Sequence, residues 1–193
     1  MSKKKAIIAN ATKLFSEKGF RQTSMSELAA ITGLASGTIF YHFNTKEELF
    51  LSILENIKNG IIDEFTAYID GNEFENGLQM ILGAVGFYLE HAGRMADQFR
   101  LLHRQHTHEF ASTHPECRNY LEAIYECFID LFSQAIMRGQ KDGSIGDLPA
   151  RKMAMIIFAL VDGLVSFNTY NLYNAAALYP DAIESCRRIL LNG

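Results

Sequence analysis

The chain has 193 residues, of which 48% are apolar, and its formal charge is −4. That apolar content excludes an intrinsically disordered chain, and three cysteines are too few for a disulfide scaffold. No apolar run approaches the roughly 20 residues of a membrane-spanning helix, and no apolar segment of a signal peptide follows Lys3-Lys4-Lys5. We therefore expect a cytoplasmic protein that has no membrane partner.

The charge is divided unevenly along the chain. Residues 1–46 contain seven basic and two acidic side chains, a net charge of +5, whereas residues 47–193 carry −9. A chain with two such parts is a candidate for binding a polyanion through one end only. A lysine-rich N-terminus that merely aids solubility explains the charge equally well, so charge alone leaves both interpretations open.

The first 46 residues predict three helices. An apolar stripe at helical spacing marks the first helix, which Gly19 ends. A capping box of Ser24 and Glu27 begins a short second helix that stops at Gly33, and Ser36 is placed to cap a third. Two short helices joined by a turn that contains glycine describe a helix-turn-helix, although an ordinary helical corner has the same outline.

The rest of the chain also predicts helices. Thr45 is a suitable cap for a connecting helix over about residues 45–68. Later helices are expected near residues 74–92, 94–111, 116–138, 150–174 and 179–191. No strand-like alternation of useful length is found. The predicted fold class is all-α, with about nine helices, divided into a three-helix domain over residues 1–46 and a larger helical domain over residues 47–193.

The second helix of the predicted helix-turn-helix carries side chains that can contact DNA. In this motif that helix presents polar and aromatic atoms to the major groove, and its N-terminus lies near the DNA backbone. Lysines and helix N-termini supply phosphate contacts. We expect DNA contacts from Lys3, Lys4, Lys5, Thr23, Ser24, Ser36, Gly37, Thr38, Tyr41, His42 and Lys46. Phe40 is left open between the DNA face and the core.

Residues 23–29, TSMSELA, and residues 32–49, TGLASGTIFYHFNTKEEL, resemble the signature of TetR-family transcriptional regulators. The resemblance covers about the first 50 residues closely, and the helix layout of the rest agrees with the family. Its departures are mild. Residues 32–34 read Thr-Gly-Leu where Ala-Gly-Val is common, and Phe40 stands where Leu or Tyr is usual.

The resemblance implies a repressor that leaves a palindromic operator in double-stranded DNA when a small, lipophilic or aromatic effector binds the C-terminal domain. No cofactor is expected. The chain has no Gly-x-Ser-x-Gly elbow and no phosphate-cradling glycine loop, so we predict that it is not an enzyme.

A homodimer is expected because one helix-turn-helix makes few contacts, whereas two copies can occupy successive major grooves. The segment from Met153 to Phe167 is apolar all round, which indicates burial on more than one face. The resemblance places the interface on this helix and the last one. The predicted interface residues are Met153, Ile157, Leu160, Leu164, Ile183, Cys186 and Leu190. A monomer with the apolar helix at its centre is the alternative.

Aromatic residues with isolated polar groups suggest a small-molecule pocket in the larger domain, because apolar walls with a few polar groups suit such ligands. The predicted effector pocket consists of Phe87, His91, Phe99, His103, His106, Phe110, Tyr125, Phe128, Phe158 and Asp162. Tyr88 belongs to the same aromatic set. The alternative is that these aromatic side chains simply fill the core.

Two histidines suggest a second function. His103 and His106 are three residues apart and could share a metal ion on one helix face, with a third ligand from elsewhere. The alternative function is therefore a metal-responsive regulator or a metal-binding protein. No tight four-ligand spacing accompanies the pair, so no metal site is assigned.

Overall fold

The computed structural model describes residues 2–191, so the predicted domain ends at Met1 and at residues 192–193 lie outside the described residues. Within that range the chain forms ten α-helices and one 3-10 helix and no strand, which confirms the all-α prediction. None of the described helices is long and apolar enough to cross a membrane. The helices are α1 (Lys3–Lys18), α2 (Met25–Thr32), α3 (Ser36–His42), α4 (Lys46–Asp70), α5 (Gly77–Arg94), α6 (Ala96–Leu102), α7 (Gln105–Thr113), α8 (Pro115–Asp142), α9 (Ala150–Thr169), the 3-10 helix Ala175–Leu178 and α10 (Tyr179–Leu191).

Sequence-local signals set several helix ends as predicted. Ser24 Oγ accepts a hydrogen bond from the backbone N–H of Glu27 at 3.0 Å and so caps α2. Gly33 ends α2 with φ of 66°, in the left-handed region that glycine adopts without steric cost. Thr45 Oγ1 accepts from the N–H of Glu48 at 3.0 Å, at the start of α4. The caps predicted for α2 and α4 are therefore confirmed.

Other helix boundaries differ from the prediction. Helix α1 begins at Lys3, where Ser2 Oγ accepts from a first-turn N–H, so the three lysines lie inside the helix rather than before it. The N-cap of α3 is Ala35, with no side-chain bond, and Ser36 is already helical. The helix predicted over 94–111 is interrupted at Arg104, whose backbone is extended, and this break adds a helix to the count of about nine.

The chain divides into two compact units. The first contains residues 2–60 and Asp97–Leu121, and the second contains Ile61–Ala96 and residues 122–191. The predicted domain boundary after residue 46 falls inside the first unit. A division of function between residues 1–46 and 47–193 stays a prediction.

Aromatic side chains from α1, α4 and α7 build the core of the first unit. The ring of Phe20 lies 5.4 Å from that of Phe15 and 5.1 Å from that of Phe50, centroid to centroid. Phe110 of α7 lies 5.4 Å from Phe50. All four rings are buried, which places α7 in one hydrophobic core with α1 and the first turns of α4.

The second unit has an aromatic core of its own. The ring of Phe65 on α4 lies 4.7 Å from Phe87 on α5 and 4.6 Å from Phe128 on α8. Phe158 of α9 stacks on Phe128 with a centroid separation of 5.2 Å. Helix α10 packs against α5 and α9. Edge-to-face and offset pairs of this kind hold four helices around one cluster.

Gly77 provides a test of packing in the second unit, since a methyl group there would overlap the backbone of Gly139 and the carbonyl of Ala135. We expect Gly77→Ala to lower the free energy of unfolding by about 1–3 kcal/mol, because backbone atoms cannot move aside as a side chain can. Gly93→Ala on the same helix is the control: nothing lies near its added methyl group, and it should be neutral or slightly stabilising. Urea unfolding of both variants measures the difference, and equal effects would contradict the predicted overlap.

Candidate nucleic-acid interface

The outward face of α3 is short and chemically mixed. Ser36 and Gly37 are exposed, and one turn later Phe40 and Tyr41 are 48% and 84% exposed. A side chain at position 37 would meet no atom within 4 Å, so the helix backbone is open to close approach on this side. The exposure of Phe40 settles its place on the outer face rather than in the core.

The opposite face of α3 anchors it to the first unit. Ile39 and Phe43 are buried, as is Leu28 of α2, and helices α2 and α3 contact each other. Thr38 and His42 lie at the edge of the outer face and are half-buried. The predicted contact residues Ser36, Gly37 and Tyr41 therefore share one exposed face, with Thr38 and His42 beside it.

The N-terminal lysines are exposed in the first turn of α1. The ammonium of Lys4 lies 5.6 Å from the ring centroid of Phe43, in the helix-turn-helix. Lysines 3–5 thus keep their charge in solvent beside that motif, where it can attract phosphate.

Two predicted DNA contacts have a structural use within the fold. Thr23 is buried, and its hydroxyl donates to the carbonyl of Gly19 at 2.9 Å. The ammonium of Lys46 donates to the carbonyls of Phe20 and Thr23 at 2.8 and 2.9 Å and lies 4.3 Å from the ring centroid of Phe20. The prediction is wrong for Thr23, because its side chain is buried against the turn between α1 and α2, whereas a DNA contact from the half-buried Lys46 stays a prediction. Ser24 caps α2 but remains exposed.

The end of α1 is held by residues that sequence analysis missed. Arg104 donates to the carbonyl of Ser16 from Nε, at 3.2 Å, and to that of Glu17 at 2.8 Å. The hydroxyl of Ser16 donates to Asp97 Oδ1 at 3.0 Å. An arginine at a helix C-terminus satisfies carbonyls that have no partner within the helix. The partners are 81 to 88 residues apart in sequence. Because of this separation, no local sequence pattern predicts the contacts.

The turn after α1 is held in the same way. The imidazole of His106 stacks on Phe20, with ring centroids 4.4 Å apart and planes 12° apart. Arg21 forms an ion pair with Glu109 of α7 at 3.2 Å. We call the residues that make these contacts the α1 clamp. They are Ser16, Glu17, Phe20 and Arg21 on one side and Asp97, Arg104, His106 and Glu109 on the other. The α1 clamp fixes the end of α1 and the turn before α2 to α6 and α7.

A polar pair lies inside the aromatic cluster of the second unit. The hydroxyl of Tyr88, which is buried on α5, donates to Asp162 Oδ1 of α9 at 2.5 Å. Burial raises the pKa of Tyr88 well above its usual range, and the charge of Asp162 adds to the effect. Burial, followed by Asp162, raises the pKa of Tyr125 to about 12. Both phenols therefore remain protonated and able to donate at neutral pH.

A second polar group lies near Phe87 in this cluster. His91 Nδ1 lies 3.1 Å from Glu64 Oε2, and Arg94 approaches the same carboxylate at 3.6 Å. Burial lowers the pKa of His91, while Glu64 acts in the opposite direction. The cluster thus combines apolar rings with a few oriented polar groups, the composition of a small-molecule site.

The predicted effector pocket is divided between the two units. Phe99, His103, His106 and Phe110 lie on two helices, because the helix predicted over 94–111 breaks at Arg104, and all four residues belong to the first unit. The remaining six belong to the second unit: Phe87, His91, Tyr125, Phe128, Phe158 and Asp162.

Within the described part of the chain, no third metal ligand lies with His103 and His106. His103 Nδ1 lies 2.8 Å from the carbonyl of Phe99, and the ring of His106 is stacked on Phe20. Among residues 2–191, no group of three or more His, Cys, Asp or Glu side chains is placed to hold a metal ion.

The apolar helices α9 and α10 leave an open groove on the second unit. It has a volume of about 310 Å³ and is lined mainly by Leu160, Leu164, Phe167 and Leu178. Of the predicted interface residues, Leu160 and Leu164 line this groove, and Met153 and Ile183 are half-buried. The prediction is wrong for Ile157, Cys186 and Leu190, whose side chains are buried in the core of the chain itself.

Comparisons with known proteins match this architecture. The family model described as "Bacterial regulatory proteins, tetR family" matches residues 7–53. The HTH-type transcriptional regulator TtgR of Pseudomonas putida is 28% identical over 167 residues, which cover 82% of this chain and 76% of the relative.

Two solved structures share the fold. The fatty acid degradation regulator FadR from Bacillus halodurans is 20% identical, with a TM-score of 0.78 over 97% of this chain and 96% of that one. A putative transcriptional regulator from Saccharomonospora viridis, in complex with choline, is 19% identical, with a TM-score of 0.83 over 96% and 94%.

Removing the guanidinium of the α1 clamp should destabilise the protein. We expect Arg104→Met to lower the free energy of unfolding by about 1.5–3 kcal/mol, because charged donors are lost from the carbonyls at the end of α1. Arg151→Met is the control. It removes bonds to Glu126 and Asp130 on the surface, where water screens the charges, and it should cost less. Urea unfolding at pH 7 compares the two, and equal losses would disprove the capping role.

Proposed function

This chain is a TetR-family transcriptional regulator, and from that premise we propose that it is a repressor of the cytoplasm, released from a palindromic operator by a small effector. The proposal depends on one observation. A short, exposed helix face and the exposed lysines of α1 lie on a unit whose N-terminal part is basic. That combination supports binding to a polyanion with a groove rather than catalysis.

In the proposed complex α3 enters the major groove. Gly37 lets the helix backbone approach the base edges, while the hydroxyls of Ser36 and Tyr41 bond to phosphate or base atoms. The lysines at positions 3–5 add phosphate contacts that position the motif without reading sequence. The acidic remainder of the chain is repelled by DNA, so that only the basic end docks.

We propose that two copies assemble through the groove of α9 and α10. Leu160 and Leu164 of α9 are half-buried and are followed along the groove by Phe167. The groove continues to Leu178. Exposed apolar groups at Ile156, Tyr170 and Leu172 extend this surface. Exposed apolar side chains grouped beside one groove support a second copy as its partner. Two helix-turn-helix motifs can then occupy successive major grooves.

The effector site is proposed among the aromatic residues of the second unit. The rings of Phe87, Phe128 and Phe158 provide apolar contact, and Tyr88 with Asp162 provides a donor and a charge. An apolar or aromatic effector with one polar group has the complementary chemistry.

The proposed release is a population shift. Helix α4 contributes residues to both units, so an effector that favours one arrangement of its C-terminal part can bias its N-terminal part, which begins at Lys46. The effector needs only a higher affinity for the arrangement that does not bind operator. The α1 clamp lies in the first unit and holds the end of α1 to the turn that follows it. The helix-turn-helix therefore responds to α4 as one body.

Tyr41→Ala should weaken operator binding about 10-fold without changing stability, because the ring is exposed and makes DNA contacts in the proposal. Met137→Ala is the control, since that side chain is 44% exposed on α8, outside the helix-turn-helix and the groove, and it should bind like wild type. The probe is a duplex enriched by the wild-type protein from a randomised pool. Binding measured at several salt concentrations should weaken as salt rises. A salt-independent affinity, or no selection of any duplex, would refute the DNA-binding proposal.

A charge in the groove should dissociate the dimer. We expect Phe167→Glu to raise the dimer dissociation constant at least about 10-fold, because an unpaired carboxylate would be buried between the copies. Met137→Glu on α8 is the control. Met137 is 44% exposed and Phe167 is 45% exposed, but only Phe167 lines the groove. Sedimentation velocity measures both. A monomeric wild type, or an unaltered dimer in Phe167→Glu, would contradict the proposed interface.

A further inference from the structure

His106, the second residue of α7, is enclosed by aromatic rings from three elements. Its ring stacks on Phe20 at 4.4 Å and lies 5.4 Å from Phe50 and 5.7 Å from Phe110. Both ring nitrogens are closed off from solvent and have no hydrogen-bond partner. A neutral imidazole tolerates this site as a flat, mostly apolar ring, whereas an imidazolium would be left there with two unpaired N–H donors.

The charges around His106 come from every element that packs against it. Arg21 in the turn after α1 and Lys46 at the start of α4 oppose a positive ring, and Glu109 of α7 and Glu47 of α4 favour one. Burial is the largest effect, followed by Arg21, and together they lower the pKa of His106 below its ordinary value of 6.5. The next ring outward is His114, which stacks on Phe110 at 3.6 Å.

The position of His106 connects it to DNA binding through Phe20. Phe20 begins the turn between α1 and α2, and its carbonyl accepts the hydrogen bond from Lys46. The stack therefore holds the point from which α2 and α3 leave α1. A protonated imidazole, whose charge needs solvent, would separate from Phe20. The turn between α1 and α2 would then become looser.

We propose that His106 is a positioning residue for the DNA-binding helices, acting through Phe20 only as the neutral imidazole, so that acidification weakens operator binding. The inference depends on the proposed function for its DNA-binding part. The α1 clamp also contains the hydrogen bonds of Arg104 and the ion pair of Arg21, and the stack at His106 is the part that protonation of an imidazole would disturb.

The direction of the effect follows from proton linkage. Because the pKa of His106 is lower in the folded protein than in the unfolded chain, the unfolded state binds more protons between the two values. The contribution of His106 to stability is complete above about pH 6.5 and is lost as the pH falls through the window below it. Operator binding should fall in the same window.

The first experiment compares wild type with His106→Phe, which keeps a flat ring in the stack and removes the titration. The folding equilibrium constant of wild type, relative to the variant, should fall by up to about tenfold per pH unit below pH 6.5. His108→Phe is the matched control on α7, because His108 is exposed, and it should keep the wild-type profile. Urea unfolding from pH 5 to 7.5 measures all three.

A second measurement does not require the variant to fold. NMR titration of the imidazole carbon-bound protons in wild type should show a His106 signal that titrates below pH 6.5, with its chemical shifts displaced by ring currents from Phe20. Assignment follows from the signal that disappears in His106→Gln. A His106 signal that titrates at or above pH 6.5 would overturn the proposal.

The third experiment measures affinity for the selected duplex at pH 5.5 and 7.5. Wild type and His108→Phe should lose affinity on acidification, whereas His106→Phe should lose less. Parallel losses in His106→Phe and wild type would overturn the positioning role. Failure to select any duplex at pH 7.5 would instead remove the proposed function, and the stability and NMR results would then show whether the proton-sensitive stack itself exists.

Discussion

The C-terminal end of α1 is the point at which the two distant parts of the first unit meet. Helix carbonyls at such an end have no partner in their own helix, and Arg104 supplies donors to those of Ser16 and Glu17. The ring of Phe20 then stacks on His106 one residue after the helix terminus at Gly19. Without these contacts the three N-terminal helices would have to stand on their own small core, which buries a smaller fraction of its surface than a large one.

The same constraint explains how the charge of the chain is used. Lys46 is one of seven basic residues in the first 46, yet its ammonium is bound to the carbonyls of Phe20 and Thr23 and contributes to the turn. The lysines at positions 3–5 and the outer face of α3 remain exposed. A total charge of −4 thus conceals both a basic end and a division within it, between cations that hold the fold and cations that remain for a partner.

Features encoded over three or four residues could be predicted from the sequence, and features that join distant residues could not. The cap at Ser24 and the buried Ile39 follow from local spacing. The break at Arg104 does not, because its side chain is drawn to carbonyls 87 and 88 residues away. For the same reason α9 showed apolar residues all round, but only the fold could assign Ile157 to the core and Leu164 to the groove.

Aromatic content was equally ambiguous in the sequence, and the fold gives it two physical roles. Around Phe20 the rings enclose a histidine whose nitrogens have no partner, so the cluster favours a neutral group. Around Phe128 they enclose the pair of Tyr88 and Asp162, in which a hydroxyl stabilises a carboxylate. A ligand with a polar group can compete for that hydrogen bond, whereas in the first cluster the histidine is closed off from solvent and stacked on Phe20. The chemistry therefore favours the second cluster for an effector and leaves the first to position the helix-turn-helix.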